Sequence, residues 1–176
     1  MAESDKGLPE EVEAHARQIS QTARETTSAL DEIVWEANPS NDTLDSLVTY
    51  ACKYAQEYLA LAGLRYRLEV PESLPTVPIP PDVRHNVFLA FKEAVNNVVK
   101  HAQASSAQVR LQLAPDHFTL EVQDDGRGLA AGRDQAGRNG LRNMRKRMED
   151  ISGDFSLGPA PEGGTLVRLT APLGKR

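Results

Sequence analysis

Cysteine is nearly absent from this chain of 176 residues. Cys52 can close no internal disulfide and build no cysteine-based metal site, and its place in an apolar helical pattern marks it as a packed thiol. No apolar run approaches the roughly 20 residues that span a bilayer. The amino terminus has neither a basic lead nor an apolar signal core, so the chain reads as cytoplasmic. There is no G-x-x-x-x-G-K-[ST] and no G-x-G-x-x-G after a strand, which sets aside P-loop and Rossmann nucleotide sites. Internal repeats and low-complexity tracts are also missing. Aromatics make up 5% of residues, too few to interleave with a basic patch as a nucleic-acid stacking platform.

What is present is a core and an uneven charge. Forty per cent of residues are hydrophobic, enough for one compact domain with an appendage. The net charge of -5 hides a segregation: positions 1–45 hold eleven acidic and three basic side chains, whereas 127–147 hold seven basic and one acidic. A basic cluster of that density suits a polyanion such as a nucleoside triphosphate, although a solvated basic helix gives the same pattern.

The periodicity divides the chain at Pro39. Val12, Ala16, Ile19, Ala23, Thr26, Leu30, Ile33 and Ala37 alternate steps of four and three, a heptad seam weakened by its small residues. It predicts a long helix packed on partner helices and ending before Pro39. A second helix is expected from about Asp42, capped by Ser40, Asn41 or Asp42 and stopped at Gly63. A strand over 64–70 follows, then an extended loop holding five prolines between Pro71 and Pro81. The pattern next predicts a helix over 82–103, a hairpin of strands 107–113 and 118–122, a helix over 141–151, and strands near 155–157 and 165–169. Hairpins dominate, so the expected class is α+β, a two-layer α/β sandwich with a mixed, mainly antiparallel sheet. The expected domains are 1–39 and 40–176.

Four short constellations carry chemistry. In EAVNNVVKHA, residues 93–102, a helix of 3.6 residues per turn puts Glu93, Asn97 and Lys100 within a stripe about 60° wide, with His101 at its margin. On most helices that would be solvated surface. An Asn oxygen can instead serve Mg²⁺, which prefers oxygen donors, while the cation faces phosphates. In DDGRGL, residues 124–129, Gly126 and Gly128 permit a sharp turn and close approach to a flat ligand, and Asp124 at a strand end can accept from an exocyclic amino group. Asp-Gly is also a common hairpin connector. In GRNGLRNMRKR, residues 137–147, a glycine-containing loop enters a basic helix whose free amides and dipole suit an anion. In GGTL, residues 163–166, turn chemistry by itself explains the glycines.

The order of these four is more specific than any one of them. Together they resemble the N box, G1 box, G2 box and terminal Gly-Thr of the ATPase fold (GHKL, or Bergerat fold) shared by gyrase, heat-shock chaperone, histidine kinase and MutL proteins. EAVNNVVKHA and GLRNMRKRM are most similar to the histidine kinase branch of nitrate- and lipid-sensing regulators, and the resemblance covers 80–172. It implies ATP and Mg²⁺ as cofactors, with Asn97 as metal ligand and Glu93 as the carboxylate organising water at the metal. It implies phosphate-side contacts from Lys100 and His101 and an adenine-binding carboxylate at Asp124. Gly126 and Gly128 would admit adenine, Thr165 would lie near it, and Gly137, Gly140 and Leu141 would open the helix that holds the phosphates. Residues 130–139 would form a short ATP lid.

The same resemblance makes LDEIVWEANP, residues 30–39, the end of the second helix of a dimerisation hairpin. The phosphoacceptor helix of that branch carries an acidic residue directly after its histidine. His15 is followed by Ala16, so the acceptor histidine is expected outside this chain, and His85 and His117 receive no role. The implied function is transfer of the ATP γ-phosphate to a hairpin histidine. The implied partners are that histidine, a response regulator and a second copy in a homodimer, with no nucleic acid. The chain would then be cytoplasmic, or the intracellular part of a membrane-anchored sensor. Two competing readings are a nucleotide-responsive binding module without transfer, and a serine kinase of the anti-sigma-factor type, which the long heptad helix argues against.

Overall fold

The computed structural model describes residues 10–128 and 135–173. The chain divides into two units, 1–39 and 40–176. In the first, helix α1 spans Glu10–Ala37 without a break and ends ahead of Pro39. Its seam residues Val12, Ile19, Leu30 and Ile33 are exposed, as is Val34.

A 3-10 turn, Pro39–Asn41, lies at the boundary, and the second unit continues with helix α2, Leu44–Leu61. The cap is Thr43, whose hydroxyl accepts from Ser46 N at 3.4 Å, in place of the Ser40, Asn41 or Asp42 expected from sequence. Asn41 accepts from the Ser46 hydroxyl instead, and Asp42 pairs with the buried Arg84 at 2.8 Å. The proline-rich loop is extended as expected, and it is also fastened. Leu44 N donates to Val77 O at 2.8 Å and Ile79 N to Asp42 O at 3.0 Å.

Strand β1, Arg65–Glu69, precedes helix α3, Pro81–Asn97, with Pro81 in its first turn where a missing N–H costs nothing. A single helix to Gln103 was expected. The ladder widens after Asn97 into a π turn, Val98–Ala102, closed by left-handed Gln103 at φ 52°. Strands β2, Ser106–Leu113, and β3, His117–Asp124, form the expected hairpin. Helix α4, Gln135–Asp150, begins six residues before the expected Leu141. Gly137 and Gly140 lower helix propensity without breaking a helix, and Met144 and Met148 bury the face that holds it down. Strands β4, Asp154–Pro159, and β5, Thr165–Pro172, complete the sheet.

The five strands run in the order β1-β2-β3-β5-β4; β1 lies parallel to β2 and the other pairs are antiparallel. This is the expected mixed, mainly antiparallel sheet. Edge strand β1 leaves Tyr66 38% exposed, so its inward alternation is weaker than the sequence suggests. Helix α3 lies between α2 and α4 and packs on β3 and β5, with α2 against β1 and β2 and α4 against β4 and β5. Phe88 and Phe91 of α3 and Phe118, Leu120 and Leu169 of the sheet are fully buried, with Phe88 turned to Tyr50 and Tyr54 of α2. Each such side chain contributes roughly 2 kcal/mol of apolar burial. Period-two alternation sends Leu120, Val122 and Asp124 to this helix-covered face and Thr119, Glu121 and Gln123 to the other.

Candidate functional site

The site grows from the end of β3. Asp124 is the last residue of that strand and is 5% exposed. Its Oδ1 accepts from Gly126 N at 2.9 Å and from Thr165 N, at the start of β5, at 3.3 Å. Burial raises the pKa of the Asp124 carboxyl above the usual aspartate value, and the bonds from Gly126 and Thr165 oppose that rise. No cation is paired with it among the described residues. A buried carboxylate held by neutral donors keeps unspent acceptor capacity for a ligand N–H.

Glycines set how closely these loops meet. Gly164 has φ +83°, and a Cβ there would collide with the backbone oxygen of Asp124. Gly128 lies beside Gly164 O. A Cβ on Gly126 would collide with the carbonyl of Ala102, the last residue of the π turn. Arg127 continues that seam, with its N donating to Ala102 O at 2.9 Å and its Nε to His101 O at 3.1 Å. Thus the Asp124 loop touches the Gly-Gly-Thr turn on one side and the turn carrying Lys100 and His101 on the other.

Helix α3 supplies the rest. Glu93 and Asn97 are half-buried and share a face, whereas Lys100 and His101 are exposed in the π turn. Bonds of the i→i+5 type rotate less per residue than an α-helix, so the single four-residue stripe expected from sequence holds for Glu93 and Asn97 and is bent at Lys100. Gly140 of α4 sits against the Glu93 carboxylate, which occupies the space a Cβ would need. Seven residues back on α3 and seven onward on α4, Asn86 Oδ1 accepts from Arg147 Nη1 at 3.4 Å. The two helices therefore run antiparallel, and one more turn of the same register carries Asn97 toward the first turn of α4.

The free first-turn amides of α4 belong to residues 135–138, including Gly137, while Gly140 and half-buried Leu141 lie in the second turn. Of the expected lid, 130–134 lies outside the described residues. Sequence reasoning passed over Asp125, Ser105 and Ser106, which hydrogen-bond with one another, and Tyr58, whose hydroxyl donates to Asn96 Oδ1 at 2.6 Å. The sequence held no local signal for this cluster, since Ser105 and Ser106 lie 20 and 19 positions before Asp125. No three His, Cys, Asp or Glu side chains converge on a metal-sized site among the described residues.

Comparison with known proteins finds relatives of this fold. Residues 82–175 match the family model for histidine kinase-, DNA gyrase B- and HSP90-like ATPases. Sensor protein VraS of Staphylococcus aureus is 28% identical over 108 residues, covering 61% of this chain, and its Staphylococcus epidermidis counterpart is equally similar. The chain spans 31% of the length of either relative. Among solved structures, the histidine kinase domain of the Erythrobacter litoralis EL346 blue-light-activated kinase superposes with a TM-score of 0.61 at 21% identity, over 78% of this chain and 66% of that one. The ATP-binding domain of PrrB from Mycobacterium tuberculosis gives 0.56 at 23% identity, over 70% and 90%. Both likenesses confirm the fold of the sheet and its helices. Because the family model covers more than half of its length, this protein belongs to the histidine kinase-, DNA gyrase B- and HSP90-like ATPases.

Proposed function

We propose that this domain binds Mg-ATP and presents its γ-phosphate to a histidine on a dimerisation hairpin, as part of a homodimeric kinase that serves a response regulator. The observation that carries the reading is the buried Asp124, with no cation paired to it among the described residues, bonded to the Gly126 and Thr165 amides and joined through Gly126 to the turn beyond Asn97. In this reading Asp124 accepts from the adenine amino group, and Gly126, Gly128 and Thr165 line the purine. Lys100, His101 and the first-turn amides of α4, at Gly137, face the phosphates, and Gly140 and Leu141 fix that helix against Glu93. Magnesium would be held by the Asn97 amide oxygen together with phosphate oxygens, with Glu93 organising water around it, and would supply charge neutralisation. A donor set with a single amide fits a cation that arrives with its nucleotide.

The chain's own residues then orient and neutralise, which is most of the catalysis in phosphoryl transfer. The unprotonated nitrogen of the acceptor imidazole attacks the γ-phosphorus, the bond to the β,γ-bridging oxygen breaks, and ADP leaves. The test supplies a separate hairpin with a His-Asp pair and labelled ATP. Acid-labile label on that hairpin supports the proposal; saturable ATP binding with no label transfers support to a nucleotide-responsive binding module. One feature favours that second reading: His15, on exposed α1, lacks an acidic neighbour.

A further inference from the structure

The end of β3 and the loop after it carry two adjacent carboxylates, Asp124 and Asp125, and the proposed function employs one. Asp125 is exposed, yet both of its oxygens are doubly held. Oδ1 accepts from Ser105 N and Ser106 N, each at 2.8 Å. Oδ2 accepts from the Ser105 hydroxyl at 2.6 Å and the Ser106 hydroxyl at 2.8 Å. Asp125 N returns a bond to Ser106 O at 3.3 Å. These bonds hold the carboxyl well below the usual aspartate range, with the Ser105 hydroxyl as the largest cause. Ser105 is itself anchored to β1, its O accepting from Arg65 N at 3.2 Å and its hydroxyl from Arg65 Nη2 at 3.3 Å. Residues 125–127 are thus tied at one end to Ser105 and Ser106 and at the other, through Arg127, to His101 and Ala102. The segment bridged in this way contains left-handed Gln103 at φ 52°, a conformation a non-glycine residue keeps when its surroundings impose it.

We propose that Asp125 is a positioning residue for the nucleotide: it braces the loop bearing Asp124 against the segment that follows Lys100 and His101, fixing the distance between the purine and phosphate ends of the site. This rests on the reading of Asp124 as the purine acceptor. Asp125 touches no ligand in this role. An asparagine can keep the brace, because its Oδ1 still accepts both amides and its Nδ2 donates to hydroxyls free to rotate, whereas alanine loses all four bonds.

The experiment is ATP titration by calorimetry on the full chain and its Asp125→Ala and Asp125→Asn variants, with thermal melts of each. Asp125→Ala is expected to weaken ATP about tenfold, and Asp125→Asn to recover affinity to within about threefold of the parent. The Ser105→Ala/Ser106→Ala double variant removes the two hydroxyls and leaves both amide bonds. It should fall between the two and serves as the probe if Asp125→Ala does not fold. Parent-like affinity in Asp125→Ala, or in the double serine variant, overturns the brace. So does an Asp125→Asn variant as weak as the alanine, which would show that the charge acts and not the bonding. A parent chain that takes no ATP overturns the purine reading of Asp124 itself, an outcome distinct from either of these.

Discussion

Strand β3 buries two carboxylates three residues apart, Glu121 on the outer face of the sheet and Asp124 on the helix-covered face. They are 3% and 5% exposed, so their difference is one of partners. Glu121 is spent: its Oε1 accepts from Arg168 Nε at 2.7 Å and its Oε2 from Arg110 Nη1 at 3.3 Å. Arg110 continues to Glu69 at 2.8 Å, so Glu69, Arg110, Glu121 and Arg168 form a row of alternating charge across register-matched positions of β1, β2, β3 and β5. Asp124 accepts from neutral amides, has no cation paired with it among the described residues, and burial works against its charge. A buried acid with every oxygen answered by a cation is a structural device. One left charged without a cation is a cost the fold carries at a place where something else must bind.

The largest effect should come from removing the charge of Asp124. Asp124→Asn keeps an oxygen for the Gly126 and Thr165 amides and presents an N–H₂ where the ligand's own N–H₂ must go. ATP affinity should fall on the order of 100-fold by calorimetry. The ligand-free domain should melt higher, because a desolvated charge has gone. Glu121→Ala should do the reverse. Leaving Arg110 and Arg168 without their shared acid should cost about 2 kcal/mol in denaturant unfolding, a figure reduced from the fully buried case because both arginines are partly exposed, with ATP affinity nearly unchanged. If both variants lost stability and affinity together, the division of labour between the two faces would be wrong.

Gly164→Ala should blur the comparison in a defined way. The residue needs φ +83°, and its Cβ would strike the Asp124 backbone. A cost of about 1–2 kcal/mol in stability is expected, with a tenfold or smaller loss of ATP affinity as Asp124 shifts. A variant that bound ATP as the parent does would show that the Gly-Gly-Thr turn does not set the position of that carboxylate.

Much of this was legible before any coordinates. Periodicity located α1 and its stop, the hairpin of β2 and β3, and the mixed sheet, because each rests on local pattern. Gly126 was readable as a glycine that something must approach, whereas Gly164 read as turn chemistry alone; what approaches each, the Ala102 carbonyl and the Asp124 backbone, is a matter of tertiary contact. The cap at Thr43 was missed because Asp42, an equally good cap by type, is drawn off to the buried Arg84. The π turn was invisible for a similar reason, since Val98–Ala102 carries no residue that forbids regular helix. Its carbonyls are taken by Arg127, from a loop more than twenty positions away. The early start of α4 over Gly137 and Gly140 reflects packing against Glu93, which glycine propensity does not reveal.

The smallest expected effect is the response to acid, and it separates the same two faces. The folded-state pKa of Asp124 lies above its unfolded value, so protonating it favours the ligand-free fold below the unfolded value, and that advantage is lost as pH rises through the folded one. ATP needs the ionised form. Affinity should therefore begin to decline on acidification at a higher pH than an ordinary aspartate would dictate. The outer-face row behaves oppositely. Its Arg110 partner holds the Glu69 carboxyl below the usual value, so whatever stability that exposed pair adds is present above the unfolded glutamate value and lost as pH falls through the lower folded one. Titrating ATP affinity and melting temperature side by side from neutral toward acidic pH should thus show binding weaken first, while this pair still contributes. Affinity that stayed flat until the domain itself melted would mean that the Asp124 charge takes no part in holding the purine.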